Sequence, residues 1–219
     1  MSSPVIGVLV VGAGAAALVA YLATRPSFAF AAAGNGGDSS SGAPVGDSSA
    51  GAPPPSGVAM QFNPLIAQAA KAAGIDPVLL KAICAEESGF NPDSINPEKD
   101  FTFGGVFYKQ NDRAGRAALV AWIKAGNDPA SIGLNPSCGI GQVRVSNAKK
   151  WISGLDAWDL FDVATGLEAA AYAIAEMGFD VDTADMYNVG HGTNWKQGVR
   201  NLPYQAKVAD FYSRFAGDF

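Results

Sequence analysis

Glu87 is the residue of this chain whose type and position best suit acid–base chemistry. Leu79, Leu80, Ile83, Cys84 and Glu87 recur at spacings of three and four, so Glu87 falls on the apolar stripe of a helix. It lies near the end of that helix, before Gly89 and Asn91-Pro92. A carboxylate on a buried face is costly to ionise, so its pKa is expected to rise. A raised pKa is what a general acid needs near neutral pH. Glu86 lies about 100° round the same helix and is expected to face solvent, so the two adjacent carboxylates do not read as a catalytic pair. On periodicity alone the plainer alternative, a partly buried Glu held in a structural pair, stays open.

Few other residues offer chemistry. The single histidine, His191, rules out a zinc site built on two or three imidazoles, and any Ser/His or Cys/His apparatus would have to use it. Two cysteines, Cys84 and Cys138, are too few for a four-thiolate metal site. They can form one disulfide outside a reducing cytoplasm, or stay as two buried thiols. Neither a metal nor a cofactor is expected.

The segments that must hold these residues read as helices. Asn63–Ala73 carries a stripe of Leu65, Ile66, Ala69, Ala70 and Ala73 and stops at Gly74. Asp76-Pro77 then opens the helix of Glu87, with Asp as N-cap and Pro at the first helical position. Further helical stretches are predicted at Arg113–Ala125, Asn147–Trp151, Val163–Met177 and Tyr204–Phe215. No run sustains the alternation of a strand. The expectation is a mainly α domain with at most a small β-hairpin.

In this setting three short motifs gain meaning. Ile75 to Pro92, with Glu87-Ser88-Gly89-Phe90-Asn91-Pro92 at its end, closely resembles the first motif of the soluble-type (SLT) lytic transglycosylases. Cys138-Gly139-Ile140-Gly141-Gln142-Val143 is similar to their second, Gly-Leu-Met-Gln, with Gly141 where Met is common. Ala184-Asp185-Met186-Tyr187-Asn188-Val189-Gly190 resembles the third, Ala-x-x-Tyr-Asn-x-Gly. Asp159-Leu160-Phe161-Asp162-Val163 and Tyr204-Gln205-Ala206-Lys207-Val208 resemble two further segments, an Asp-Leu-x-Asp-Pro turn and a closing Tyr-Val-x-Lys-Val stretch. Each motif alone is weak, because Tyr-Asn-x-Gly and Gly-x-Gly-Gln also describe ordinary turns. Together, in the family's order, they cover most of residues 63 to 215.

The resemblance implies a lysozyme-like helical fold and an enzyme that cuts peptidoglycan glycan strands. Glu87 would protonate the oxygen between N-acetylmuramic acid and N-acetylglucosamine. It would then, as a base, help the muramic C6 hydroxyl attack C1 and release a 1,6-anhydro product. Such an internal attack needs no second carboxylate, unlike ordinary glycosidases. Ser88 and Gln142 would contact the substrate, and Tyr187 and Asn188 would position the sugar and Glu87. The resemblance also brings Cys84 and Cys138 together at the floor of the site, where a disulfide would close a loop worth about 4 kcal/mol.

The chain departs from the family in three places. Residues 93 to 138 separate the first two motifs, which the family joins by a short link, giving an insertion at about 98–136 with Phe101, Phe103, Phe107, Tyr108 and an amphipathic stretch through Leu119, Val120, Trp122 and Ile123. It reads as a lid, an added sugar-binding wall or a packed helical hairpin. Val163 and Gly166 stand where Pro and Asn are usual. Hydrolysis by the same fold, as in goose-type lysozymes, is the alternative outcome, with Asp93, Asp100 or Asp185 holding a water. A wall-binding or structural membrane protein without chemistry is the rival of another class; a binder has no need of an acid on a buried face.

Two segments precede the domain at residues 58–219. Val5 to Thr24 is a run of 20 residues without a charge, the length that spans about 30 Å of hydrocarbon as a helix. It is expected to anchor the chain in a membrane, within residues 1–33. A cleaved signal peptide, with Ala29-Phe30-Ala31 as the cut, is the alternative, but no Lys or Arg precedes the run. Gly12 to Ala17 satisfies the bare dinucleotide-binding pattern. The acidic residue that pattern needs about 20 positions on, at a strand end, is missing, so an oxidoreductase is rejected. Residues 34–57 are Gly, Ser, Ala, Pro and Asp with almost no large apolar side chain, and read as a flexible linker.

Charge closes off another class. The chain carries a formal net charge of −5, and residues 58–219 hold 14 basic and 18 acidic residues, so a nucleic-acid partner is not expected. Peptidoglycan is itself anionic, and recognition would rest on a shaped groove. The expected arrangement is a membrane-held domain outside the cytoplasm, facing the bacterial wall from the inner membrane or from a virion, alongside virion or secretion-system components.

Overall fold

The computed structural model describes residues 56–189 and 198–219. The expected membrane helix, the linker up to residue 55 and Gly190-His191-Gly192 lie outside the described residues. Among the described residues no helix is long and apolar enough to cross a membrane.

The chain runs through α1 (Ser56–Gln61), α2 (Asn63–Ala73), α3 (Pro77–Ser88), β1 (Ile95–Asn96), β2 (Phe101–Phe103), β3 (Val106–Tyr108) and α4 (Arg113–Lys124). It continues with β4 (Ser137–Cys138), β5 (Val143–Arg144), α5 (Val145–Trp151), α6 (Val163–Met177), α7 (Asp185–Val189) and α8 (Leu202–Phe215). Three 3-10 turns lie at Pro129–Ile132, Ala157–Phe161 and Val181–Thr183. This mainly helical arrangement with small antiparallel sheets fits a lysozyme-like fold.

The helix of Glu87 is the central element. α3 packs against α8, α2 and α6, and every residue from Leu79 to Ala85 is buried. A helix covered on all sides is apolar all round, and this one nearly is. Its start is set as the sequence predicts: Asp76 Oδ1 accepts from the Val78 N–H at 2.9 Å, a cap worth about 1 kcal/mol. Its end is set by Gly89, whose φ of +59° turns its N–H back onto the Ala85 and Cys84 carbonyls.

The exception inside α3 is Lys81, whose side chain is fully buried. Its ammonium donates to Asn63 Oδ1 at 2.6 Å, pairs with the Asp218 carboxylate and lies 4.6 Å from the centre of the Phe215 ring. A buried cation survives only with such partners. Residues at both ends of the described domain thus close on one side chain of the central helix.

The expectation of at most a small hairpin needs correction, because two sheets form. β2 and β3 make a local hairpin with Phe101 opposite Tyr108. β1, β4 and β5 make a three-stranded antiparallel sheet with Ile95 opposite Cys138 and Cys138 opposite Val143. Strands of two residues display no alternation, and the partner of β1 lies some 40 residues on, so neither local pattern nor proximity in sequence reveals it.

The insertion enters between the paired strands β1 and β4. It is neither a helical hairpin nor a detached lid. The β2–β3 hairpin is followed by α4, which buries Leu119, Val120 and Ile123 against β1 and the Ala157–Phe161 turn. Trp122 packs edge-on to Phe103, ring centres 5.3 Å apart. The implied disulfide is also absent: Cys84 and Cys138 are both free thiols, fully enclosed in the core as small apolar side chains.

Candidate active site

Glu87 sits in the last turn of α3, where α8 crosses it. The Tyr204 hydroxyl, from the first turn of α8, donates to Glu87 Oε1 at 2.7 Å. Burial raises the Glu87 carboxyl from an ordinary 4.5 to about 7. The Tyr204 hydrogen bond works against that rise, and the negative charges of Glu86 and Glu98 add to it. Glu87 as a whole residue is half-buried. A carboxyl that exchanges its proton near neutrality can serve as acid and then as base.

Glu86 does not face solvent as periodicity suggests. Its side chain is 16% exposed, and Lys207 of α8 donates to it at 2.9 Å. Helical periodicity assumes one open face, and α8 covers the face where Glu86 emerges. The two adjacent glutamates therefore receive opposite treatment from one helix: Glu86 a cation, Glu87 a neutral phenol.

The second motif forms the turn between β4 and β5 and is fastened to the end of α3. Ser88 Oγ donates to the Ile140 carbonyl at 2.7 Å, and the Tyr187 hydroxyl donates to the Gly141 carbonyl at 2.7 Å. Ser88 thus spends its proton on the backbone and keeps only lone pairs for any ligand. The turn tolerates no bulk. A Cβ on Gly139, at φ +76°, would lie 1.9 Å from the Leu160 carbonyl oxygen, and one on Gly141 would lie 2.5 Å from the Ala170 Cβ. The close approach of α6 explains why glycine stands at 141 in place of a larger residue.

Gln142 ends this turn in the left-handed region at φ +49°, its side-chain amide donating to the Gly139 carbonyl at 3.0 Å. Phe90 and Glu98 are the other described non-glycine residues with positive φ. All three border the end of α3 or the sheet next to it. Such conformations persist where the surroundings over-determine them.

Tyr187 is held edge-on to Phe179, ring centres 6.1 Å apart. Burial, then the Glu87 and Cys84 charges, push its hydroxyl well above the ordinary tyrosine range. Burial and the same Glu87 charge act likewise on Tyr204, so both phenols stay neutral donors. Asn188 is exposed, and its amide oxygen accepts from Asn201 Nδ2 at 2.8 Å. Glu87, Ser88, Gln142 and Tyr187 therefore converge, while Asn188 ties α7 to the start of α8.

None of the three aspartates named for a hydrolytic water is unengaged. Asp185 is fully buried under Arg200 at 2.6 Å and also accepts from the Asn201 N–H. Asp93 pairs with Lys124, and Asp100 with Lys109 at 2.9 Å. Sequence reasoning missed Tyr204 and Lys207 as parts of the site. Tyr204 and Val208 stand four apart on the buried stripe of α8, and a phenol on such a stripe needs a polar partner, which was the available signal.

Comparison with known families agrees with this geometry. The family model described as Transglycosylase SLT domain matches residues 64–207, about two thirds of the chain, spanning α2 to α8 and every residue discussed around Glu87. No curated protein and no solved structure gave a match.

Proposed function

The chain belongs to the transglycosylase SLT family of peptidoglycan-degrading enzymes, and on that premise we propose that it cleaves the bond between N-acetylmuramic acid and N-acetylglucosamine without water, with Glu87 as its one acid/base. The observation that carries this reading is the Glu87 carboxyl itself, held by a neutral phenol at the end of a buried helix with a pKa of about 7. In its protonated form it delivers a proton to the glycosidic oxygen as that bond breaks. In its ionised form it takes the proton of the muramic C6 hydroxyl as that oxygen bonds to C1. The proton count closes on one residue, and the product is a 1,6-anhydro sugar. Asp185, fully buried beneath Arg200, is not placed to hold a hydrolytic water, which favours this course over one that uses it.

In this reading Tyr187 and Tyr204 hold the reacting centre, Ser88 and Gln142 line the groove, and Asn188 supports it from α7 through Asn201 at the start of α8. The uncharged run Val5–Thr24 anchors the enzyme in a membrane, and residues 34–57 tether the domain on the side where the wall lies, on a host cell or in a virion. The test is digestion of purified peptidoglycan by the wild type and by Glu87→Gln, with products weighed by mass spectrometry. Products lighter by one water than hydrolytic muropeptides, lost in the variant, are expected. Hydrolysed products would make it a lysozyme, and undiminished cleavage by the variant would remove Glu87 from the mechanism.

A further inference from the structure

Asp185 opens α7 at a position the third motif leaves free to vary, and its side chain is fully buried. A buried carboxylate is costly, and an apolar side chain would serve packing as well. The Asp185 oxygens are spent on the start of α8. Oδ2 accepts from Arg200 Nε at 2.6 Å and from the Asn201 N–H at 3.1 Å, while Oδ1 accepts from Arg200 Nη2 at 3.1 Å. Both partners then reach the turn that bears Tyr204. Asn201 Oδ1 caps α8 by accepting from the Tyr204 N–H at 3.2 Å, and Arg200 Nη2 also donates to Gln205 Oε1 at 3.0 Å. Asn188 of α7 orients the cap by accepting from Asn201 Nδ2 at 2.8 Å.

α7 is fastened to the site on its other side. Tyr187 donates to the Gly141 carbonyl, and Ser88 donates to the Ile140 carbonyl of the same turn. A closed ring of contacts therefore runs from the end of α3 through the β4–β5 turn, α7 and Asp185 to the start of α8. It returns to Glu87 through the Tyr204 hydroxyl at 2.7 Å. We propose that Asp185 is a positioning residue for the acid: through Arg200 and Asn201 it sets the first turn of α8 so that the Tyr204 hydroxyl stays on Glu87. The inference rests on Glu87 being that acid. A two-pronged, charge-assisted pair fixes direction as well as distance, which apolar contact does not. Misplacing a group at a reacting centre by about 1 Å costs on the order of 100-fold in rate.

The test uses the full chain in detergent micelles with carbon-13 glutamate, following the Glu87 carboxyl by NMR, its signal assigned through Glu87→Gln. The pH profile of peptidoglycan cleavage is measured in parallel. Asp185→Asn keeps the shape of the side chain but turns an amide donor toward the Arg200 donors. With the Tyr204 hydroxyl loosened, the Glu87 midpoint and the basic limb both move to higher pH, and the rate near pH 7 falls. Removing an anion that acted on Glu87 directly would move them to lower pH, so the sign separates the two routes. The titratable groups that act on Glu87 all stay in place: Glu86 with its partner Lys207, Cys84, Glu98, Tyr187 and Tyr204. In a Tyr204→Phe background Asp185→Asn should give no further upward movement. The less buried Asn201 decides the matter if Asp185→Asn does not fold. Asn201→Ala, which removes the cap, moves the midpoint upward, whereas Asn201→Ser, which keeps a capping oxygen, holds it. A midpoint that stays or falls in the folded variants, or an equal rise without the Tyr204 hydroxyl, overturns the proposal. If the wild type leaves peptidoglycan intact while the NMR midpoints move as stated, the function reading fails and the positioning stands.

Discussion

The proton of Glu87 is governed by burial, which raises its pKa, and by the Tyr204 hydrogen bond, which works against that rise, and each gives a measurable consequence. The Tyr204 hydrogen bond stabilises the carboxylate, so Tyr204→Phe removes a stabilising contact to the ionised form and lifts an already raised pKa further. The basic limb of kcat/KM against pH is expected to move upward from about 7, together with a loss of rate from the less well-held carboxyl. A limb that stays or moves down would show that Tyr204 does not bind the ionised acid. The raised pKa also costs stability. Below its unfolded value of 4.5 the carboxyl is protonated in both states, and nothing is lost. As pH rises to about 7 the unfolded chain ionises first, and stability falls. Above that the full penalty stands, on the order of 3 kcal/mol at about 1.4 kcal/mol per pH unit. Glu87→Gln should therefore match the wild type near pH 4 and exceed it at pH 8 in urea unfolding.

At the scale of elements, α3 owes its place to what α8 and the chain end lay against it. Lys81 is enclosed by Asn63, Asp218 and Phe215, which belong to α2, the segment after α8 and α8 itself. Asp218→Ala leaves a buried ammonium with one carboxylate fewer. Since Asp218 is 25% exposed, the expected loss is about 2–3 kcal/mol, below the 3–5 of a fully buried pair. Replacing both charges, as Lys81→Met with Asp218→Ala, should recover much of that loss by chemical denaturation. Equal losses in the single and double variants would mean that the pair contributes packing alone. The helices were legible because each carries its own signals: Asn63–Ala73 and Val163–Met177 occur with the predicted limits, and Asp76 caps as its position before Pro77 implies. The two-residue strands carry none, and so the three-stranded sheet was not foreseen.

At the scale of the molecule, an acidic domain acts on an anionic polymer. With a net negative charge across residues 58–219, long-range attraction does not bring enzyme and wall together. Salt shortens the reach of their repulsion, to about 10 Å at 0.1 M. Cleavage of peptidoglycan is therefore expected to hold or rise as salt increases from about 10 mM to 0.1 M, measured as the rate of turbidity loss. A steep fall would point instead to a basic docking surface.

Much of the identity of the protein was present in local pattern. The apolar stripe that ends at Glu87, the Ser88-Gly89-Phe90-Asn91-Pro92 that follows and two later motifs are short-range features, so fold class and family could be read, and Glu87 singled out, without coordinates. What tertiary structure decided is the environment of that acid. Tyr204 lies 117 residues from Glu87, and Lys207 lies 121 from Glu86. A carboxyl takes its proton affinity from the charges and donors that reach it through space, and those are chosen by how α8 crosses α3. Periodicity along one helix assigns a face to each residue, but not what will cover that face. That is why Glu86, placed in solvent by its angle, lies under Lys207, and why Gly141 is dictated by Ala170 of a helix it does not adjoin in sequence.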